Sequence, residues 1–362
     1  MSEEYKEGIY FNMPEDEYHG LPFFSRSFSE EEFISPEDAW VNSARNPDRE
    51  ERESTPAMEL GKALHSMILE PKLFKALYVK KPSFADYPDM DILDSTADIK
   101  VLLKEVGEKL SGTKAEMIAR VEPYIDPDKH VIWGNVMKAF NQNVADHGLR
   151  VLTDGNQETL SGIAESLERR PDTKSILEEA MSEVTIIWID KETGIKCKCR
   201  LDSVRIEAII ELKSFSLQRK KNLYDAMCDA IMYERYYMQY YVYHSALKNV
   251  INKINKKQAI VSGDVDAQWL KKFLAVPDKQ YFWLFARTQA PYQCKAIEGR
   301  RAFAKGATEN AYHHEARNLW ETILQSHKRT LDEFGDERPI DDKVELLDDA
   351  HVPNIMYQGY RA

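Results

Sequence analysis

Between Ile195 and Ser214 the chain reads IKCKCRLDSVRIEAIIELKS, with Asp202 nine residues before Glu211 and Lys213 two residues beyond it. Strand alternation sorts these side chains onto faces. Ile195, Cys197, Cys199 and Leu201 share an apolar side, leaving Lys196, Lys198, Arg200 and Asp202 on the other. In the second strand Glu211 and Lys213 flank Leu212 and so point the same way. The intervening RIEA supplies a turn, although it lacks the Asn-Gly or Asp-Gly pair that fixes a two-residue turn type. A hairpin of this kind brings two carboxylates and an ammonium to one point. Mg²⁺ prefers oxygen ligands and keeps several waters, and a neighbouring ammonium can stabilise charge developing on a phosphoryl oxygen. The chemistry is that of metal-dependent phosphodiester hydrolysis. An E-x-K on a strand is more often a solvated charge pair, so the rest of the chain has to support the reading.

At 362 residues the chain can hold one large domain with an insertion, or two modest domains. A hydrophobic content of 43% and a charged content of 30% describe an ordinary globular protein. The longest strong apolar run, VTIIWI at Val184 to Ile189, is strand-sized and far short of a membrane span. Cys197, Cys199, Cys228 and Cys294 form neither a zinc pattern nor a disulfide framework. The acidic start, MSEEYKEGIY, does not read as a signal peptide, so a cytoplasmic location is expected. No G-x-x-x-x-G-K-[ST] occurs, which excludes a P-loop ATP motor. The net charge of −12 runs against nucleic-acid binding, yet Lys191 to Lys221 holds nine Lys/Arg against four Asp/Glu. The acid collects in Glu30 to Asp38, Asp48 to Glu53 and Asp332 to Asp349. Such polarity directs DNA to one surface, though acidic surfaces also simply keep a protein soluble.

The elements that must hold the hairpin are also signalled. Ser27 and Glu30 make a capping box for a helix running to about Phe33. A second helix is set by Thr55 as cap, Pro56 at the first position and Pro71 as stop. After a linker, KKPSFADYPDMD, two short helices share a small apolar set: Ile99, Leu102, Leu103, Val106, Leu110, Met117, Ile118 and Val121. Helical pattern follows from Lys129 to Met181, broken at Gly148 to Asn156 and at Pro171, before the strand region from Glu183 to Lys213. A long helix starts near Asn222. Strands at Tyr281 to Thr288 and in PYQCKAIEG precede a helix from about Arg300 to Leu331. The order predicts an α/β fold, a central mixed β-sheet flanked by helices. Residues 1–88 and 128–335 would form the main domain, 89–127 a helical insertion and 336–362 an acidic tail.

Four separated pieces occur in order: Gly61-x-x-x-His65, Asp202, Glu211-x-Lys213 and Gln239-x-x-x-Tyr243. In this the chain resembles the PD-(D/E)xK nuclease superfamily, and within it the RecE-type exonuclease VIII branch related to the RecB nuclease domain. The likeness covers most of Tyr10 to Glu321. The exception is about Asp91 to Tyr124, which resembles a SAP module, particularly in LSGTKAEMIARV. The resemblance implies one or two Mg²⁺, with Mn²⁺ as a substitute, held by Asp202, Glu211 and the carbonyl of Leu212. Lys213 would orient the attacking water or stabilise charge, and His65 would reach a metal from across the site. Gln239 and Tyr243 would hold the site or the DNA backbone near the scissile phosphate. Taken alone, a helical His more often packs in a core, and Gln239 and Tyr243 lie in a Tyr-rich packing surface.

The implied activity is digestion of linear double-stranded DNA, 5′ to 3′, leaving 3′ single-stranded tails for recombination. A closed homo-oligomeric ring and a RecT-type single-strand annealing partner are expected with it. Ser25 and Arg26, beside a helix start, are candidates for a 5′-phosphate, and Lys114 for a backbone phosphate. Lys196, Lys198 and Arg200 suggest a basic stripe leading to the metals, with Arg219, Lys220 and Lys221 as further phosphate contacts. Glu183 is a candidate outer carboxylate, although acids at strand edges are common. Two rivals stand beside this reading. One is a structure-specific or restriction-type endonuclease using the same metal site. The other is a DNA-binding scaffold with a dead core, against which intact Asp202, Glu211, Lys213 and His65 argue.

Overall fold

The hairpin sits in the middle of a seven-stranded sheet in the computed structural model, which describes residues 5–50, 54–217, 222–300 and 310–340. The strands are β1 (Gly8–Tyr10), β2 (Met181–Ile189), β3 (Lys196–Val204), β4 (Ala208–Phe215), β5 (Ile260–Ser262), β6 (Gln280–Arg287) and β7 (Cys294–Gly299). They lie in the order β7-β6-β4-β3-β2-β1-β5. The β4–β6 and β1–β5 pairs are parallel and the others antiparallel, so the sheet is mixed, as the sequence predicts.

Six helices matter for the site: α1 (Arg26–Ile34), α2 (Pro56–Leu69), α3 (Asp154–Glu168), α4 (Leu223–Tyr233), α5 (Tyr236–Asn255) and α6 (Ala311–Phe334). Ile195, Cys197, Cys199 and Leu201 are buried in one apolar cluster with Val242 and Leu247 of α5 and Trp320 and Leu324 of α6. A second cluster joins Ile210, Leu212, Leu284 and Ala286 to Ala63 and Leu64 of α2 and Leu160 and Ile163 of α3. Helix–sheet–helix layering of this kind buries both faces of the central strands and fixes their register.

Local signals set most boundaries. Thr55 Oγ1 accepts the Met58 N–H at 3.2 Å, Pro56 opens α2, and the helix ends before Pro71. For α1 the cap is Ser25, not Ser27: extended Ser25 accepts the Phe28 N–H at 3.2 Å, which leaves Ser27 inside the first turn. The long helix expected from Asn222 is two, because the chain breaks at Glu234 and Arg235, where Arg235 has φ +50°. The carbonyl of Glu234 there accepts from Arg26 Nη2 at 2.7 Å.

The helices Thr96–Glu105 and Lys114–Val121 pack around their own apolar cluster of Ile99, Leu102, Leu103, Met117 and Val121. Leu110 stays outside it, 40% exposed. The turn caps itself: Thr113 Oγ1 accepts the Glu116 N–H at 3.3 Å, and Glu116 accepts the Thr113 N–H at 2.8 Å. Lys114 sits 3.8 Å from Asp94. Thr113 and Glu116 thus take up the first N–H groups of the helix, while the Lys114 side chain stays half exposed beside Asp94.

Lys279 pins the β3–β4 turn to the helix Ala267–Ala275, donating to the carbonyls of Ile206 and Phe273 at 2.7 Å each and to that of Val276. Burial pulls its ammonium down to about 7, against the charge of Glu207. Between there and its unfolded value near 10.4 the unfolded chain binds the extra proton. Stability from this group is thus full above the unfolded value and lost as pH falls towards 7. Urea unfolding is expected to give a free energy lower at pH 7 than at pH 9, by about 1–2 kcal/mol. Lys279→Met should flatten that slope; an unchanged slope would assign it to other groups.

Candidate active site

Strands β3 and β4 keep their ladder only at Ser203–Ile210 and Val204–Ile209, and then part. At the fork the two carboxylates replace backbone carbonyls. Asp202 Oδ2 accepts the Leu212 N–H at 2.8 Å, and Glu211 Oε1 accepts the Asp202 N–H at 3.2 Å. Beyond the fork, β3 takes another partner: the Phe24 N–H donates to the Lys196 carbonyl at 3.0 Å, and the Lys198 N–H to the Phe24 carbonyl at 2.8 Å. That pairing occupies the edge that β4 would otherwise cover, so the fork stays open.

Glu183 reaches the fork from β2. The register pairs Ser182 with Ser203 and Val184 with Leu201, which leaves Glu183 across from Asp202. Its φ of +54° is a left-handed conformation in the middle of a strand, a strain of the kind that clusters at functional sites. His65 comes from α2, which is tied to β2 by the Ser182 hydroxyl donating to the Leu69 carbonyl at 2.8 Å. His65 Nδ1 lies 3.8 Å from Asp202 Oδ2. His65, Glu183 and Asp202 each offer one ligand atom, all within 4.8 Å of one another. An imidazole nitrogen and two carboxylate oxygens suit a divalent cation such as Mg²⁺ or Mn²⁺. The electrostatics agree: burial, then the charge of Asp202, pushes Glu183 up to about 7 against the pull of Arg200. A cation here would relieve that crowding.

Glu211 lies behind this triad, fully buried. Its Oε2 accepts from Gln239 Nε2 at 2.6 Å and from Lys213 Nζ at 3.3 Å. Burial, then Asp202, raises its pKa well above the carboxylate range, with Lys213 opposing. Lys213 itself is raised: burial works against its charge, but Glu211, Asp202 and Tyr236 outweigh burial. Its ammonium rests 5.1 Å from the Tyr236 ring centroid.

Five residues singled out in the sequence, His65, Asp202, Glu211, Lys213 and Gln239, therefore converge. Gln239 acts through Glu211, as a positioning residue. Glu183 joins His65 and Asp202 as a candidate metal ligand, in the place expected for Glu211. Its only early signal was an acid at the head of a strand whose register was unknown. Leu212 is buried at the fork and gives its N–H to Asp202.

The remaining candidates are engaged in packing or in other bonds. Tyr243 is 8% exposed and lies within the field of Glu211, which fits holding the site from inside rather than touching a DNA backbone. Alternation does put Lys198 and Arg200 on the Asp202 side, but the amino-terminal segment covers that side. Lys198 is buried and donates to the carbonyls of Tyr18 at 2.6 Å and Leu21 at 2.7 Å. Arg200 holds Glu183 at 2.5 Å and the Met13 carbonyl at 2.8 Å. Lys196 lies half-buried, 4.7 Å from the Phe23 ring centroid. No exposed basic stripe results. The Ser25 oxygen is engaged in capping, and Arg26 pairs with Glu30 at 2.6 Å besides the Glu234 carbonyl. Arg219, Lys220 and Lys221 lie outside the described residues, as does the tail beyond Ile340.

No helix among the described residues is long and apolar enough to cross a membrane. No curated protein matches the chain. A solved structure from Eubacterium rectale, described as a "putative exonuclease", aligns with a TM-score of 0.44 at 13% identity, over 88% of this chain and 83% of that one. The match that spans the fork, α2 and α5 is to a family: residues 31–290 fit the "PDDEXK-like domain of unknown function (DUF3799)", and the chain belongs to that family.

Proposed function

We propose that the protein is a divalent-metal-dependent exodeoxyribonuclease acting on linear double-stranded DNA inside the cell. One observation carries the reading: the triad of His65, Glu183 and Asp202 opens at a strand fork directly beside the Glu211–Lys213 pair. His65, Glu183 and Asp202 would hold Mg²⁺ or Mn²⁺, which supplies Lewis-acid charge at the scissile phosphate and lowers the pKa of a bound water. Lys213, kept charged by Glu211 and Asp202, stabilises negative charge developing on the phosphoryl oxygens. Gln239 fixes the Glu211 carboxylate that orients Lys213.

The finer reading is 5′ to 3′ digestion leaving a 3′ tail, in a ring of identical subunits that passes its product to a single-strand annealing protein. It rests on the ordered motifs and on the lack of an ATP-binding loop in the sequence. End-labelled linear duplex with Mg²⁺ or Mn²⁺ tests it: the 5′-labelled strand should shorten from its own end, and covalently closed circles should survive. Linearised circles would point to an endonuclease, and intact linear DNA with either metal would end the nuclease reading. Gly61 offers a further check. A Cβ there meets nothing within 4 Å, and Gly within a helix costs about 1 kcal/mol against Ala. Gly61→Ala is expected to stabilise the fold by about 0.5–1 kcal/mol. If DNA passes this face, one turn before His65, it should also raise KM severalfold. An unchanged KM would move the DNA path away from α2.

A further inference from the structure

Strands β4 and β6 are parallel and in register, pairing Trp283 with Glu211, Phe285 with Lys213 and Arg287 with Phe215. Residues paired in this way leave the sheet on the same side, so Arg287 lies on the face that carries Lys213. It stands one strand over from Lys213 and two residues further out. With strands about 4.8 Å apart and a rise of about 3.3 Å per residue, the two Cα atoms lie about 8 Å from each other. Phe215, Phe285 and Tyr236 pack together beside them, with ring centroids 5.4 Å apart for Phe215–Phe285 and 6.4 Å for Tyr236–Phe285.

The backbone at this point is held fast. The Arg287 N–H donates to the Gln293 carbonyl at 3.0 Å, and Thr288 gives the Phe215 carbonyl both its N–H, at 2.9 Å, and its hydroxyl, at 3.2 Å. The arginine side chain has no such hold. Arg287 is half-buried, and its Nε is shielded from solvent without a hydrogen-bond partner. Among the described residues no ion pair or other side-chain hydrogen bond reaches its guanidinium. Half-buried arginines elsewhere are tied: Arg26 to Glu30, Arg170 to Ser166, Arg200 to Glu183 and Arg205 to the Ser175 carbonyl. A guanidinium carries its N–H donors in a planar fork that matches phosphate oxygens, and leaving it partly desolvated and unpaired is costly. A purely structural role would have supplied a partner.

We infer that Arg287 grips a backbone phosphate of the DNA strand being cut, one or two nucleotides from the scissile bond on the β6 side of Lys213. The inference rests on the nuclease reading. Phosphates of one strand follow one another at about 3.4 Å along the axis, so a group about 8 Å from Lys213 falls level with the first or second neighbour of the scissile phosphate. The strand would then cross the end of the sheet from α2, over His65 and Asp202 at the fork, past Lys213 and on to the end of β6. With the metal triad on one phosphate and Arg287 on another, the bond between them is held in one orientation, which is how positioning groups contribute to rate.

Binding is measured without cleavage, by anisotropy of a labelled linear duplex in EDTA over a series of salt concentrations. Arg287→Met keeps the stem of the side chain and removes its charge. It is expected to weaken binding about tenfold and to reduce the slope of log K against log salt by about 0.7–0.9, the loss of one phosphate contact. Arg287→Lys should keep the slope and recover part of the affinity. Duplexes with a single neutral methylphosphonate, placed at successive positions from the strand end, then locate the contact. One position should weaken binding by the native chain and leave Arg287→Met unaffected. Slope and scan unchanged between the native chain and Arg287→Met would overturn the inference. If Arg287→Met does not fold by circular dichroism, Arg287→Lys decides: the sensitive position should lose at least about threefold of its effect, and an unchanged scan overturns the inference. A native chain that cuts DNA yet shows no phosphate coupled to Arg287 removes this contact alone. A coupled phosphate in a protein that never cuts DNA with Mg²⁺ or Mn²⁺ would refute the nuclease reading and leave Arg287 as a DNA contact.

Discussion

Asp202→Asn is expected to lower DNA cleavage at least about a thousandfold while making the metal-free protein more stable. Asp202 is the one residue common to both halves of the site. Its Oδ2 lies 3.8 Å from His65, and its charge bears on Glu183 and on Glu211. Loss of a metal's charge stabilisation removes several kcal/mol from the transition state, and about 1.4 kcal/mol is tenfold in rate. Asn keeps an oxygen to accept the Leu212 N–H, so the fork retains its shape. What disappears is the repulsion among three carboxylates, on the order of 1 kcal/mol in favour of the folded state. Single-turnover cleavage and chemical denaturation in EDTA measure the two effects. A rate loss below about tenfold would remove Asp202 from the chemistry, and a drop in stability would show that its structural bond outweighs the repulsion.

Lys213→Met should cost about a hundredfold to a thousandfold in rate, the range found when one charge-stabilising donor is removed. It should also destabilise the protein near pH 8 by about 1–3 kcal/mol, because fully buried Glu211 loses the ammonium 3.3 Å away. Removing that cation raises the folded-state pKa of Glu211 further. A carboxyl so raised favours folding below its unfolded value and loses that support as pH rises, so the deficit should shrink towards pH 5. Glu211→Gln in the same chain should recover most of the stability and none of the rate. Equal destabilisation by Lys213→Met in both backgrounds would mean that the pair is not coupled.

The residues that were legible early share a property: their roles follow from neighbours close in sequence. Asp202 and Glu211 belong to one hairpin, Lys213 alternates with Glu211, and Thr55 caps a helix opened by Pro56. Residues read wrongly depend on distant chain. Lys198 and Arg200 have the alternation of an exposed stripe, and only the return of residues 13–24 across β3 buries them. Glu183 was legible only as a candidate outer carboxylate, and the β2–β3 register set it opposite Asp202. Gln239 was legible as a motif member, but its action on Glu211 is set by how α5 lies on the sheet.

By itself the sequence determined the hairpin, the order of its chemical groups and the bounds of α2, because alternation, caps and prolines act within a few residues. Tertiary structure decided which carboxylates meet. The fork stays open because Phe24 takes the edge of β3, and that contact joins residues more than 170 positions apart. A strand pattern tells which face a side chain leaves from. What covers that face is a question of packing, and it turned a supposed DNA track into a buried ammonium.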